Sequence, residues 1–256
     1  MKQLIAFTKK EFIELYRTGK LLILTIVFIL FGIMNPAFAK LTPWIMNMVS
    51  DSLAQAGMSI AKVEVNAMTS WNQFYKNVPM LLIVFVIMFS GILTMEYQRG
   101  TLINMLTKGL SRWKVIAAKF TSMMSIWTLC YWLSYGITYI YNDYYWDNGI
   151  SSHLFLGAFC IYLLGIWMIS LVLCASALTN SSSAVLLFTG GVFVVSYLIS
   201  IVPSVSRYLP TQLLSSQTML TGAMNPSDFA ASIIVTLVLT AISLAGAVLA
   251  FNKKKI

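Results

Sequence analysis

The residues able to do chemistry are few in this sequence, and their spacing does not assemble a catalytic centre. The single histidine, His153, follows Asp143 and Asp147 closely. One imidazole and two carboxylates can start a metal site, but the same trio is what the polar rim of a membrane helix contains, and the rim is the better account. Cys130, Cys160 and Cys174 have no paired spacing and fall in apolar runs, which suits packing better than disulfides or metal ligation. No set of nucleophile, base and metal ligand can be drawn from the rest. No Gly-x-x-x-x-Gly-Lys-Ser/Thr phosphate loop occurs either, so ATP chemistry of that kind must be done by another polypeptide. What remains is Glu96-Tyr97-Gln98-Arg99-Gly100-Thr101, a charged and flexible segment standing directly after an apolar run.

That apolar run is one of several. Hydrophobic residues make up 59% of the 256 and charged residues 10%, against about 45–50% and about 25% in soluble domains. Seventeen Lys and Arg with eight Asp and Glu cannot coat a soluble domain of this size, so most of the chain faces a bilayer. Residues 21–39, 77–95 and 120–142 carry no charge, each close to the roughly 20 residues that cross a hydrocarbon core as a helix. The polar Thr179–Ser183 segment divides a longer uncharged stretch in two. The expectation is one all-α integral membrane domain over 1–256. Its six transmembrane helices lie at about 20–39, 78–95, 119–141, 154–178, 184–202 and 229–251.

The formal charge of +9 then reads as topology rather than as a nucleic-acid footprint. Thirteen of the 17 cations lie in the N-terminal segment to Lys20, the Arg99–Lys119 connection and the C-terminal lysines. By the positive-inside rule these face the cytoplasm, with both termini there, in a multi-pass protein of the plasma membrane. The first apolar run is long enough to span and is preceded by a basic amphipathic stretch, so no cleavable signal peptide is read. Residues 1–19 have helical periodicity, with Leu4, Ile5, Thr8, Phe12, Leu15 and Tyr16 on one arc and Lys2, Lys9, Lys10, Glu14 and Arg17 on the rest. This is expected to be an interfacial helix, with Lys9, Lys10, Phe12 and Arg17 meeting lipid at the inner leaflet.

Within the spans there is no ionisable Asp, Glu, Lys, Arg or His except at their ends, which argues against coupling to a driving ion. The Tyr139–Trp146 aromatics suit an outer belt. The stretch 41–76 is long for a connection; Trp44, Ile45, Met48, Met58, Ile60 and Val63 let it lie on the outer leaflet, cap the pathway, or act as an ordered spacer packed on its own protein. Small residues in three spans (Gly136, Gly190-Gly191, and Ser243, Gly246, Ala247 and Ala250) permit close helix approach.

After the second span, Leu102 to Lys108 reads as a short helix, with Thr101 as its N-cap, Gly109 as its stop and Leu102, Met105 and Leu106 on one apolar face. A reversal of the chain needs no capped amphipathic helix; such a face needs something to press on. Glu96 is expected either to pair with Arg99 or to brace this helix.

The Glu-x-x-x-Gly-Thr pattern at Glu96–Thr101, the short helix, and Ser111-Arg112-Trp113-Lys114 through Ala118-Lys119 resemble the permease subunits of ABC-2 type ATP-binding-cassette transporters. The resemblance is most specific over about 80–120 and extends loosely over the whole chain. It implies that the short helix is a coupling helix seated on an ATPase subunit, with Glu96, Arg99, Gly100, Thr101, Leu102, Met105 and Leu106 as the coupling residues. It implies two ATPase copies carrying ATP and Mg, no cofactor in this chain, and a second permease copy or paralogue. It also implies a re-entrant outer element between spans five and six, which the polar, proline-bracketed Pro203–Asp228 segment resembles in position. Uncharged spans rich in Met and aromatics suit export of a hydrophobic or amphipathic cargo, above all a peptide or antimicrobial compound. The rival reading is a non-transporting membrane scaffold or sensor that recruits cytoplasmic partners through its basic face.

Overall fold

The computed structural model describes residues 2–54, 65–107 and 109–254. Met58, Ile60 and Val63 of the expected outer stretch, with Lys62, Glu64, Lys108 and Lys255, lie outside the described residues. The described residues are helical throughout, with no strand among them. In chain order the helices are α1 (Lys2–Arg17), α2 (Lys20–Ala54), α3 (Ala67–Phe89), α4 (Thr94–Gln98), α5 (Thr101–Thr107), α6 (Arg112–Tyr145), α7 (Leu154–Leu178), α8 (Ser182–Ile199), α9 (Pro203–Ser206) and α10 (Ala230–Lys253). 3-10 turns at Asn148–Ile150, Pro210–Met219 and Pro226–Phe229 complete the elements among the described residues.

Local chemistry explains the breaks. Gly19 takes φ +71 between α1 and α2, a conformation that costs glycine little and other residues much. The Asn66 side chain accepts the Thr69 amide at 3.2 Å and so starts α3, and Ser181 accepts from Ala184 at 3.2 Å to start α8, both ordinary N-caps.

The core is built around α7. Almost every residue from Gly157 to Ala177 is buried, the signature of a helix that is apolar on all sides and enclosed by others. Trp127 of α6 stands against it, its ring packed edge-on against Phe28 and Phe85 and tilted over Tyr131. By contrast, Leu22, Ile23, Ile26 and Leu30 of α2 and Ile234, Leu237, Val238 and Ile242 of α10 are exposed. Large apolar side chains in such rows suit a lipid-facing surface.

Among the described residues, five helical stretches are long and apolar enough to cross a membrane: Lys20–Met46, Ala67–Gln98, Leu154–Leu178, Ser182–Ile199 and Pro226–Lys253. The stretch expected as the third span, 119–141, lies in α6. That helix has 34 residues and is about 51 Å long at 1.5 Å per residue, but it does not reach the same apolarity. Ser122, Ser125, Thr128, Ser134 and Thr138 recur along it, and its aromatics are largely tyrosine. The first apolar helix also outruns its expected end near residue 39, continuing to Ala54 with Trp44, Ile45 and Met48 exposed.

At the end away from α1, the Pro203–Asp228 segment is a series of short turns packed on α7. Ser216 donates to the Gly157 carbonyl at 3.0 Å and Ser232 to that of Arg207 at 2.7 Å. Asp143 and Asp147 are engaged there separately, on the Asn148 amide at 3.4 Å and the Gly149 N–H at 2.8 Å. His153 turns into α7 with φ 50, and no metal-ligand cluster among the described residues includes it. The three cysteines are unbonded, Cys130 and Cys160 buried.

A side chain at Gly165 would overlap the Trp127 ring, whereas one at Gly190 meets nothing within 4 Å. Gly165→Ala should therefore cost about 1–3 kcal/mol by overpacking and lower the unfolding midpoint in detergent. Gly190→Ala should leave that midpoint unchanged or slightly higher.

Candidate functional site

The charged residues concentrate where α1 packs against α6 and meets α4. α3 stops at Phe89, and the chain turns through Ser90–Leu93 before α4; Ser90 Oγ donates to the Ile87 carbonyl at 2.9 Å and Met95 N to the Gly91 carbonyl at 3.0 Å. A Cβ on Gly91 would come within 2.7 Å of Met95 Sδ, so a larger residue there would have to displace the flexible Met95 side chain. The turn swings Glu96 inward.

Glu96 is only 7% exposed and meets two lysines: Lys10 of α1 at 2.6 Å and Lys119 of α6 at 2.9 Å. Lys119, 1% exposed, also donates to Glu11 at 3.0 Å, and Glu11 is 3% exposed. Lys10 closes the set on Glu11 at 3.1 Å and Glu14 at 2.6 Å. Five charged groups from α1, α4 and α6 thus form one network, three carboxylates against two ammonium groups. The carboxylate oxygens approach within 4.8 Å of one another, a spacing that could hold a cation, but both ammonium groups already sit among them. A cavity of about 230 Å³ adjoins the network, reaching to Lys20, Arg99 and Thr101.

Burial opposes the charge on Lys10, but hydrogen bonds to Glu14 and Glu96 and the charges of Glu11 and Glu96 together outweigh it and raise its pKa above the ordinary lysine value. Burial acts against the charge on Glu14 too, and the Lys10 hydrogen bond together with the charges of Lys10, Lys119 and Lys20 overrides it to hold the carboxyl below its ordinary 4.5. Glu14 therefore contributes stability that is complete above its unfolded pKa and lost as pH falls through the lowered one. Lys10 contributes below its unfolded pKa and ceases to do so as pH rises through the raised one.

This arrangement corrects two expectations. Glu96 does not pair with Arg99, whose side chain is exposed at the turn where Gly100 takes φ +67. Lys10 does not join Lys9, Phe12 and Arg17 on the outer face of α1; those three are exposed and Lys10 turns inward. The packed stripe of α1 is Phe7, Glu11 and Leu15, one step round from the expected arc, while Ile5, Phe12, Ile13 and Tyr16 are exposed. The helical spacing of 7, 11 and 15 is the signal that marks Glu11 as an acid on an apolar stripe. Lys119 is marked only as a cation one position short of an uncharged run.

The short helix α5 hangs between α4 and α6. Thr101 is its first helical residue rather than its cap, with Oγ1 donating to the Glu96 carbonyl at 3.4 Å. Its other end closes as expected: Gly109, φ +89, donates to Leu106 at 3.0 Å and Leu110 N to Met105 at 3.3 Å, the paired bonds of a Schellman ending. Leu102 is fully buried, and Met105 and Leu106 pack partly buried on the chain's own core. The face expected to meet a partner therefore points inward; Ile103, at 41% exposure, and Thr107 point out.

On the far side Arg112 secures the base of α6. Its guanidinium donates to the carbonyls of Phe251 and Lys254, each at 2.6 Å, satisfying the open end of α10. Lys254 in turn reaches the Thr179 carbonyl at 2.5 Å and lies 4.1 Å from the Tyr97 ring centroid. Gln3 of α1 bridges Lys114 at 2.7 Å and the Gly109 carbonyl at 3.5 Å. The arrangement can hold a small helix firmly at one end of the bundle.

Removing one partner from a buried ionic set strands its counter-charge, at about 3–5 kcal/mol. Lys119→Met should show a loss of that order in detergent unfolding, and the double variant Glu11→Met with Lys119→Met should recover part of it.

The sequence that builds these elements has a counterpart among known families. A comparison with curated proteins gave no match. The profile of the family described as ABC-2 family transporter protein, however, matches residues 5–208, taking in α1, the network, α5 and the helices through α9. The chain belongs to that family and is a membrane permease of an ABC transporter, a transport component and not itself the catalyst.

Proposed function

We propose that this permease couples ATP hydrolysis on a separate ATPase subunit to export of a hydrophobic or amphipathic substrate, most of all a peptide or antimicrobial compound. Two ATPase copies, carrying ATP and Mg, and a second permease copy or paralogue complete the unit. The observation that supports coupling best is the mounting of α5. A two-turn helix is braced on one side by Glu96 in a buried ionic network and on the other by Arg112 on the end of α10. A reversal between spans requires none of this, and a force applied to α5 passes directly into α3 and α6.

In this reading α6 is the third of six spans, both termini and α5 are cytoplasmic at the plasma membrane, and α1 rests on the inner leaflet through Lys9, Phe12 and Arg17. Pro203–Asp228 is the re-entrant outer element. The partner contact of α5 is made by Ile103 and Thr107, while Leu102, Met105 and Leu106 transmit from behind. A scaffold would use the same basic face but has no need of a braced α5.

The purified permease alone should hydrolyse no ATP and, in gentle detergent, should carry with it a subunit that has a phosphate loop; failure to capture one counts against coupling. Ile103→Asp should release that subunit and abolish substrate-stimulated ATP hydrolysis while changing stability by no more than about 0.5 kcal/mol, the usual range for a surface site. Leu102→Asp should instead destabilise the permease itself, read as a fall in its own unfolding midpoint.

A further inference from the structure

The outer half of α2 and the last turns of α6 enclose a groove that coupling does not use. Ile33, Pro36, Ala37 and Leu41 line it from one side and Tyr141 and Tyr145 from the other, around about 470 Å³. Lys40 stands in its wall, with Nζ 3.7 Å from the centroid of the Tyr145 ring. Tyr141 and Tyr145 stack with centroids 6.4 Å apart. Lys40 makes no ion pair among the described residues. The carboxylates near this end of α6 are committed elsewhere, Asp143 to Asn148 and Asp147 to the Gly149 N–H.

Position gives this groove its meaning. Lys40 follows Lys20 by twenty residues on one continuous helix, a rise of about 30 Å and so about the thickness of a hydrocarbon core. With Lys20 at one headgroup layer, Lys40 reaches the other, and the Ile33–Ala37 wall lies below it at acyl-chain depth. The cation–π contact holds the ammonium over the groove instead of leaving it extended into water. Phenols beside it supply hydroxyl donors at the level where tyrosines favour the interface.

We propose that this groove binds one anionic phospholipid, its phosphate on Lys40 and one acyl chain along Ile33, Pro36 and Ala37. An uncompensated cation above an apolar slot matches a negative headgroup on a hydrocarbon tail. The site depends on the membrane placement of α2 and is independent of the coupling of α5 to ATP.

The test uses the full permease reconstituted with equal phosphatidylglycerol and phosphatidylcholine, followed by native mass spectrometry of the lipid retained. Wild type should retain phosphatidylglycerol in preference. Lys40→Gln should lower that retention about fivefold, the effect of one cation at a headgroup layer, and Lys40→Arg should keep it. Ala37→Trp, at an exposed position, fills the groove without touching the charge and should lower retention too. Lys76→Gln, an exposed cation on α3 outside the groove, should change nothing. Retention unchanged in either Lys40→Gln or Ala37→Trp, or lowered equally by Lys76→Gln, overturns the proposal. Unfolding midpoints equal to wild type show that the variants are folded.

Discussion

A lysine that is 1% exposed at the end of a membrane bundle must be neutralised by its own protein, and the rest of this end of the molecule is arranged around that requirement. Lys119 finds Glu11 on one side and Glu96 on the other. To deliver those two carboxylates the chain must lay α1 across the bundle and must break α3 at Ser90–Leu93 so that α4 can turn. Desolvating one charge is expensive enough that no looser arrangement serves. The geometry of α5 follows, because α5 begins where α4 ends.

The same constraint makes α1 part of the bundle rather than a surface attachment. Its exposed side, Ile5, Phe12 and Tyr16, is apolar enough for an interface, yet its packed side carries the acid that the core needs. α1 is thus fixed inward by Glu11 as well as by Phe7 and Leu15, while its outer side mixes Ile5, Phe12 and Tyr16 with the exposed Lys9 and Arg17. On the opposite flank Arg112 acts through neutral acceptors instead, satisfying backbone carbonyls at the end of α10, where no helical partner is available. One flank of α5 is held by ion pairs and the other by a cation on open carbonyls.

Much of this is legible in the sequence, for a physical reason. The absence of charge over about twenty residues is a strong statement about solvent, so α2, α7 and α10 follow from it, and Gly109 announces the end of α5 because few other residues tolerate its φ. Pairwise contacts between distant segments leave no such mark. Nothing local to Glu96 distinguishes Arg99, three residues away, from Lys10 and Lys119 as its partner. The inward turn of Leu102, Met105 and Leu106 is equally hidden: an amphipathic pattern says that a face is buried but not by what. Missing charges alone make α6 resemble the other spans, and its hydroxyls and phenols bring its apolarity below that of the other long helices.

Those hydroxyls bear on how the protein is made. Thr121, Ser125 and Thr128 each donate to the carbonyl four residues back, at 2.7–2.9 Å, and Thr138 reaches the Gly32 carbonyl of α2 at 3.0 Å. In the proposed six-span arrangement α6 gains little from lipid on its own, since insertion is driven by apolar side chains near the helix centre. Its polar groups are satisfied within the helix, by α7 at Trp127, Thr128 and Tyr131, and by α2 at Thr138. Residence of α6 in the membrane is then a joint property of α6 and its neighbours, of which synthesis order supplies α2 beforehand and α7 only afterwards.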